Sequence, residues 1–278
     1  MKLTLLVENN SLYDTFFHAE HGFSAYIEDE GKKILYDTGY SDAFIKNAEQ
    51  MNIDLTDLDY IIVSHGHYDH AGGVRYLIDY YRSRGVKKKP VFLSPSEDLL
   101  VLKYNFEVKK ITSFDVKLET LKQFFDVRFI SEPVSLTSRL VYLGKVERLN
   151  DFECKIPQNK KLIGEEFIDD FVDEDTQLVY KHKNGEISIV TGCSHNGICN
   201  IMSYAKKVAG TDKINCVVGG LHLQSPSEYL LKSTLDYVRK ANIRNFYACH
   251  DTDFSSKLEI AKIANIRETG VSLTFNWE

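Results

Sequence analysis

The sequence predicts an α/β protein of two sheets with helices on their outer faces. Two observations carry that expectation. Short apolar runs of strand length alternate with helical stretches in the first third of the chain, and the same alternation returns in the last third. Two separated strand sets of this kind favour two packed sheets over a single parallel one, with their strand-end loops brought together. At 278 residues, 43% of them hydrophobic and 27% charged, the chain suits one large domain spanning residues 1–278. The pattern loosens at about residues 96–175, which read as an elaboration inserted into that domain.

Residues 3–7 form the opening strand. Residues 23–28 and 33–36 follow as a hairpin around Asp29-Glu30-Gly31. Ser41 can cap a helix reaching Met51, with Phe44, Ile45 and Ala48 at helical spacing. Residues 60–63, Tyr-Ile-Ile-Val, are continuously apolar, as a strand covered on both faces must be. A helix over 70–84 places Val74, Leu77, Ile78 and Tyr81 on one stripe, and 90–93 is a further buried strand. Later, Asn184-Gly185 joins strands 177–181 and 186–190 as a hairpin. Helix 197–208, strand 215–218, helix 227–240, strand 245–248, helix 254–264 and strand 271–275 complete the chain.

The charge balance of −6 gives no general attraction to a phosphate backbone, so nucleic acid is not an expected partner. Lys87-Lys88-Lys89 reads as a solvated turn. Five cysteines, with no C-x-x-C pair, do not form a disulfide framework. The chain opens without signal-peptide architecture, and no apolar run nears the roughly 20 residues of a membrane span. A cytoplasmic protein with a small-molecule substrate and no membrane association is expected; the sequence is silent on oligomeric state.

The chemistry concentrates in Val63-Ser64-His65-Gly66-His67-Tyr68-Asp69-His70, directly after a buried strand. Extended backbone turns His65 and His67 to the same side, where they can share one ion. Gly66 is expected to let the backbone pass close to that ion. Asp69 and His70, past the turn, can address a second. Imidazole with carboxylate suits zinc, iron or manganese. Three more histidines, His195, His222 and His250, each follow a short apolar strand. His195 and His250 are expected ligands, and His222 is either a ligand or a general acid or base beside the metals. Asp37, in Tyr36-Asp37-Thr38-Gly39, is expected to accept an N–H from a ligand imidazole and fix its aim. An aspartic-protease role would need a second carboxylate motif, and the sequence has none.

The cluster from His65 to His70, preceded by Leu35-Tyr36-Asp37-Thr38-Gly39 and followed by His195, His222 and His250, resembles the metallo-β-lactamase superfamily. The stretches EHGFSAYIE, KKILYDTG, VTGCSHNGI and GGLHL are similar to its branch of β-lactamase-superfamily II metal-dependent hydrolases. Some members of that branch are dihydropterin ribofuranosyl-aminobenzene phosphate synthases. The resemblance implies a four-layer αββα sandwich with its metals at one edge, between the sheets. It also implies His65 and His67 on the first metal, Asp69 and His70 on the second, and His250 as the late histidine of the second. Where the superfamily has a histidine before the late hairpin and a bridging aspartate after it, this chain has Asp169 to Asp175 and then Cys193-Ser194-His195. His195 can complete the first site. Cys193 is a candidate bridge, with a small buried residue as its other reading.

The expected activity is hydrolysis by a hydroxide activated at a dinuclear site, holding zinc before iron or manganese. Asp69 would ligate and orient the nucleophile, and His222 would protonate the leaving group or bind the developing oxyanion. The expected substrate is a phosphate ester or another small-molecule ester. The alternatives are a non-catalytic protein that binds a ligand through its metals, and a diiron oxidoreductase on the same fold. Substrate choice is expected in the middle stretch, among Tyr104, Phe106, Phe124 and Phe125, each of which is otherwise a core residue.

Overall fold

The computed structural model describes residues 1–107 and 109–278. The chain begins with β1 (Lys2–Val7), β2 (Ser24–Asp29), β3 (Lys32–Tyr36), α1 (Ala43–Gln50), β4 (Tyr60–Ile62), α2 (Tyr68–Ala71), α3 (Val74–Arg84) and β5 (Val91–Ser94). A 3₁₀ turn at Glu97–Leu100 leads to β6 (Lys103–Asn105), β7 (Lys110–Ile111), α4 (Leu118–Phe124), β8 (Asp126–Phe129), β9 (Val134–Ser135), β10 (Leu140–Tyr142), β11 (Asn159–Ile163) and β12 (Glu166–Asp170). The last third supplies β13 (Gln177–Lys181), β14 (Ile187–Thr191), α5 (Ile198–Ala209), β15 (Ile214–Gly219), α6 (Glu228–Ala241), β16 (Asn245–Ala248), α7 (Phe254–Ala261), β17 (Asn265–Ile266) and β18 (Thr274–Asn276).

Two seven-stranded sheets result, in the orders β18-β1-β2-β3-β4-β5-β8 and β17-β16-β15-β14-β13-β10-β9. Strand periodicity sorts their side chains into layers. Ile34, Tyr36 and Ile62 of the first sheet face Leu178, Tyr180 and Val190 of the second in one apolar core between the sheets. Their neighbours Leu35 and Ile61 point the other way and pack with Phe44, Leu77 and Leu121 of α1, α3 and α4. On the far side, Val179, Ile189 and Val217 meet Met202, Val238 and Ile260 of α5, α6 and α7. Each fully buried aliphatic side chain contributes roughly 1.5–3 kcal/mol of transfer free energy. The outcome is the expected four-layer αββα sandwich.

One local expectation needs correcting. The helix expected over 70–84 is broken into α2 and α3 at Gly72-Gly73. A Cβ on Gly73 would lie 2.2 Å from the Thr38 carbonyl oxygen, so the glycine lets the chain pack against the end of β3. Gly66 guards a close backbone contact: its Cβ would meet the Leu99 carbonyl oxygen at 2.6 Å. The glycine makes room for the 3₁₀ turn.

Residues 96–175 divide between the two main sheets and a third one. Strands β8, β9 and β10 extend the main sheets, while β12-β11-β6-β7 form a separate four-stranded sheet. That small sheet is seated by a buried charge. Lys103 of β6, with no exposed surface, pairs with Glu174 and lies 3.3 Å from Asp170 Oδ2. Glu174 Oε1 in turn accepts the Gly66 N–H at 3.3 Å, which ties the sheet to the histidine loop. Removing one partner leaves buried carboxylates uncompensated, at a cost of about 3–5 kcal/mol. Lys103→Met is expected to lower unfolding stability by that order in a urea titration followed by circular dichroism. An unchanged midpoint would show that the triad does not anchor the sheet.

Candidate metal centre

Strands β3, β4 and β5 run parallel, as do β14, β15 and β16, so the chain leaves each set at one edge. The functional side chains lie at those exits. Asp37 follows β3, the His65–His70 cluster follows β4, and His195, His222 and His250 follow β14, β15 and β16. Sharp departures are built into the backbone: Asp37, Ser194, His222 and Asp251 have φ of 57°, 69°, 52° and 54°, in the left-handed region. Non-glycine residues there are held at a cost that functional sites commonly carry.

His65, His67 and His195 form a first group. His65 Nε2 lies 3.0 Å from His67 Nδ1 and 3.1 Å from His195 Nε2. The outer nitrogens of two rings are engaged by neighbours. Ser64 Oγ lies 2.9 Å from His65 Nδ1, and Asn159 lies 2.7 Å from His67 Nε2. The Asn159 Nδ2–H donates to that nitrogen and fixes the ring's orientation. Burial, reinforced by the other positive groups nearby, pushes all three imidazoles down, His67 to about 3. They are neutral rings, the form that ligates a metal.

Asp69, His70 and His250 form a second group. Asp69 Oδ2 lies 3.2 Å from His250 Nε2 and 3.8 Å from His70 Nε2. The His70 and His65 ring centroids are 4.3 Å apart, so the groups adjoin. Asp37 has the expected place: its Oδ2 accepts the His70 Nδ1–H at 2.8 Å and the Ser64 hydroxyl at 2.8 Å, and its Oδ1 accepts the Ser64 N–H at 2.7 Å. Burial opposes charge on His70, but Asp69 and Asp37 outweigh it and raise the ring to about 9. The carboxylates here favour a positive charge.

His222 stands at the mouth, 27% exposed, its ring centroid 4.4 Å from that of His195. Its Nδ1 is hydrogen-bonded to Asp251 and its Nε2 lies 2.9 Å from Gln158 Oε1. Burial works against the Asp251 carboxylate, yet the hydrogen bond and charge of His222 hold it below the usual range. An ionised Asp251 accepts the Nδ1–H of His222 and fixes that ring.

The residues fit divalent cations. Four His/Cys/Asp sets each hold their ligand atoms within 4.8 Å of one another: His65, His67 and His195; His70, Cys193 and His250; Cys193, His195 and His222; and His21, Asp69 and His250. His70 Nε2 is buried without a hydrogen-bond partner. A cation would displace the proton from that nitrogen and be held beside the same carboxylates.

Every expected site residue lies in this one cluster, and the structure adds several that sequence reasoning missed. His21 Nε2 lies 3.3 Å from Asp69 Oδ2, although its side chain is 64% exposed. It lies within the EHGFSAYIE stretch, which was its available signal. Asp251, next to His250, orients His222, while Gln158 and Asn159 reach in from just before and at the start of β11. The four aromatics expected to choose substrate divide. Phe125 stacks on Phe92 in the helix-side core with Phe124 packed against it, whereas Tyr104 and Phe106 contact each other and Phe167 on the small sheet.

The family model described as the metallo-beta-lactamase superfamily matches residues 19–140. An uncharacterized protein of Methanocaldococcus jannaschii is 29% identical over 95% of this chain and 95% of its own. From the same organism, 7,8-dihydropterin-6-methyl-4-(beta-D-ribofuranosyl)-aminobenzene-5'-phosphate synthase is 29% identical, over 92% of this chain and 89% of its own. The crystal structure of a metal-dependent hydrolase of the beta-lactamase superfamily superposes with a TM-score of 0.81 at 26% identity, covering 99% of this chain and 98% of that one. Strand-end histidines, a four-layer sandwich and likeness along nearly the whole length agree, and all of them liken the chain to the metallo-β-lactamase superfamily.

Proposed function

We propose that this protein is a hydrolase that holds two divalent ions, zinc before iron or manganese, and cleaves a phosphate ester or a related small-molecule ester. One observation carries the reading: two groups of possible ligands adjoin through the 4.3 Å approach of the His65 and His70 rings, with His65, His67 and His195 within 4.8 Å of one another and Asp69 Oδ2 3.2 Å from His250 and 3.8 Å from His70. His65, His67 and His195 would hold one ion, and Asp69, His70 and His250 the other. Bound there, the ions supply an acidified water and polarise the electrophile.

The chain's own residues do the rest. Asp69 Oδ2, at the junction of the groups, orients the attacking water. Asp37 fixes the His70 ring, and Asn159 fixes His67. His222, oriented through Nδ1 by Asp251, would serve as the general acid at the mouth, its Nε2 exchanging the contact with Gln158 for the departing oxygen. A phosphate-bearing substrate agrees with the 5'-phosphate in the name of the dihydropterin relative. The all-imidazole first group favours zinc over the carboxylate-richer surroundings typical of oxygen-activating iron, which ranks hydrolysis above a diiron oxidoreductase.

Protein purified without chelator is expected to carry about two ions per chain and to hydrolyse a generic phosphodiester or a lactone, with His67→Ala reduced to background. No bound metal, together with no turnover after zinc, iron or manganese is added, would sink the proposal and leave a non-catalytic binding protein. Asp37→Asn keeps the shape but weakens acceptance of the His70 N–H. Metal affinity should fall about 10–100-fold in a chelator competition, as for other groups that orient a ligand. Native affinity in that variant would deny Asp37 its role.

A further inference from the structure

Cys193 belongs to neither three-residue group that the proposed hydrolysis uses, and its surroundings set it apart from the other buried cysteines. Cys199 packs in the helix-side core, and Cys216 and Cys249 lie in the core between the sheets. Cys193 is 3% exposed and joins none of these apolar clusters. Its sulfur faces polar groups instead: Asp251 Oδ2 at 3.1 Å and His222 Nδ1 at 3.6 Å. It lies within 4.8 Å of ligand atoms of His70 and His250 in one set, and of His195 and His222 in another. A single sulfur therefore reaches both halves of the centre.

A second observation points to a ligand at the same place. His70 Nδ1 is taken by Asp37, and its Nε2 is buried without a hydrogen-bond partner. That nitrogen is the one left to serve the set it forms with Cys193 and His250. A buried imidazole with one nitrogen fixed and the other unpaired beside a sulfur is arranged for an ion that both can hold.

We infer that Cys193 is a metal ligand whose sulfur is shared between the two ligand groups. The inference rests on the dinuclear reading above and adds to it a soft donor and a second negative ligand beside Asp69. Sulfur favours zinc over hard ions such as magnesium or calcium. It also accounts for Cys193-Ser194-His195 in the stretch where the superfamily resemblance predicts a bridging carboxylate. Before an ion enters, the thiol donates to Asp251; binding replaces that proton with the metal.

Cobalt(II) added to the full chain separates the possibilities. Native protein is expected to show visible ligand-field bands together with a near-ultraviolet sulfur-to-cobalt charge-transfer band. Cys193→Ser should lose the near-ultraviolet band and keep the visible ones. Visible bands without the near-ultraviolet band in native protein would overturn the role of Cys193 while leaving the dinuclear reading standing, as would a native band that survives in Cys193→Ser. No cobalt bound at all would overturn both. X-ray absorption of the native zinc protein decides the point even if the variant fails to fold. A sulfur shell at about 2.3 Å supports the inference, and nitrogen and oxygen neighbours alone overturn it.

Discussion

At one edge of the sandwich, the neutral His65 ring holds its Nε2 3.0 Å from His67 Nδ1 and 3.1 Å from His195 Nε2. Burial keeps all three rings neutral, the form that ligates a metal, and sets their nitrogens facing one another. The rest of the centre enforces this arrangement. Ser64 fixes one ring, Asn159 another, and Asp37 locks the neighbouring His70. Such constraint would be a liability in a merely structural core, where hydrophobic residues of similar volume would pack at less cost. It is intelligible as preorganisation for ions.

The sandwich allows the convergence because each sheet contributes its parallel strand ends to the same edge. Tyr36 couples them. Its hydroxyl, buried between the sheets, donates to the Thr176 carbonyl at 2.8 Å and accepts the Gly192 N–H at 2.9 Å. Tyr36 immediately precedes Asp37, and Gly192 immediately precedes Cys193. One phenol thus links the carboxylate that aims His70 to the loop that carries Cys193 and His195. Motion of one sheet against the other would disturb both ligand groups at once.

Most of this was legible in the sequence because its signals are local. An apolar run ending in a histidine cluster marks β4, and the same device repeated after β14, β15 and β16 exposed His195, His222 and His250. Asp37 was legible for the same reason, since it ends an apolar strand. What stayed hidden depends on long-range placement. His21 lies on a loop, and only its distance to Asp69 gives it a place. Lys103 reads as an ordinary surface lysine until Asp170, Glu174 and the Gly66 amide are assembled around it. Strands β8, β9 and β10 are two to four residues long, too short for a period-two pattern to separate them from the loops around them.

The small sheet changes how the middle of the chain should be understood. Sequence patterning left its aromatics as either substrate-choosing or core residues, and Phe124 and Phe125 belong to the helix-side core. The contacts instead come from consecutive polar residues: Gln158 meets His222 at the mouth, and Asn159 meets His67 within. Because Lys103 binds the same sheet to the histidine loop, the segment that contacts His222 at the mouth also holds the His67 ring in place. Changes in this stretch therefore act on ligand geometry and on recognition together. A chain that altered its substrate here would have to conserve the contact to His67 while varying the one to His222.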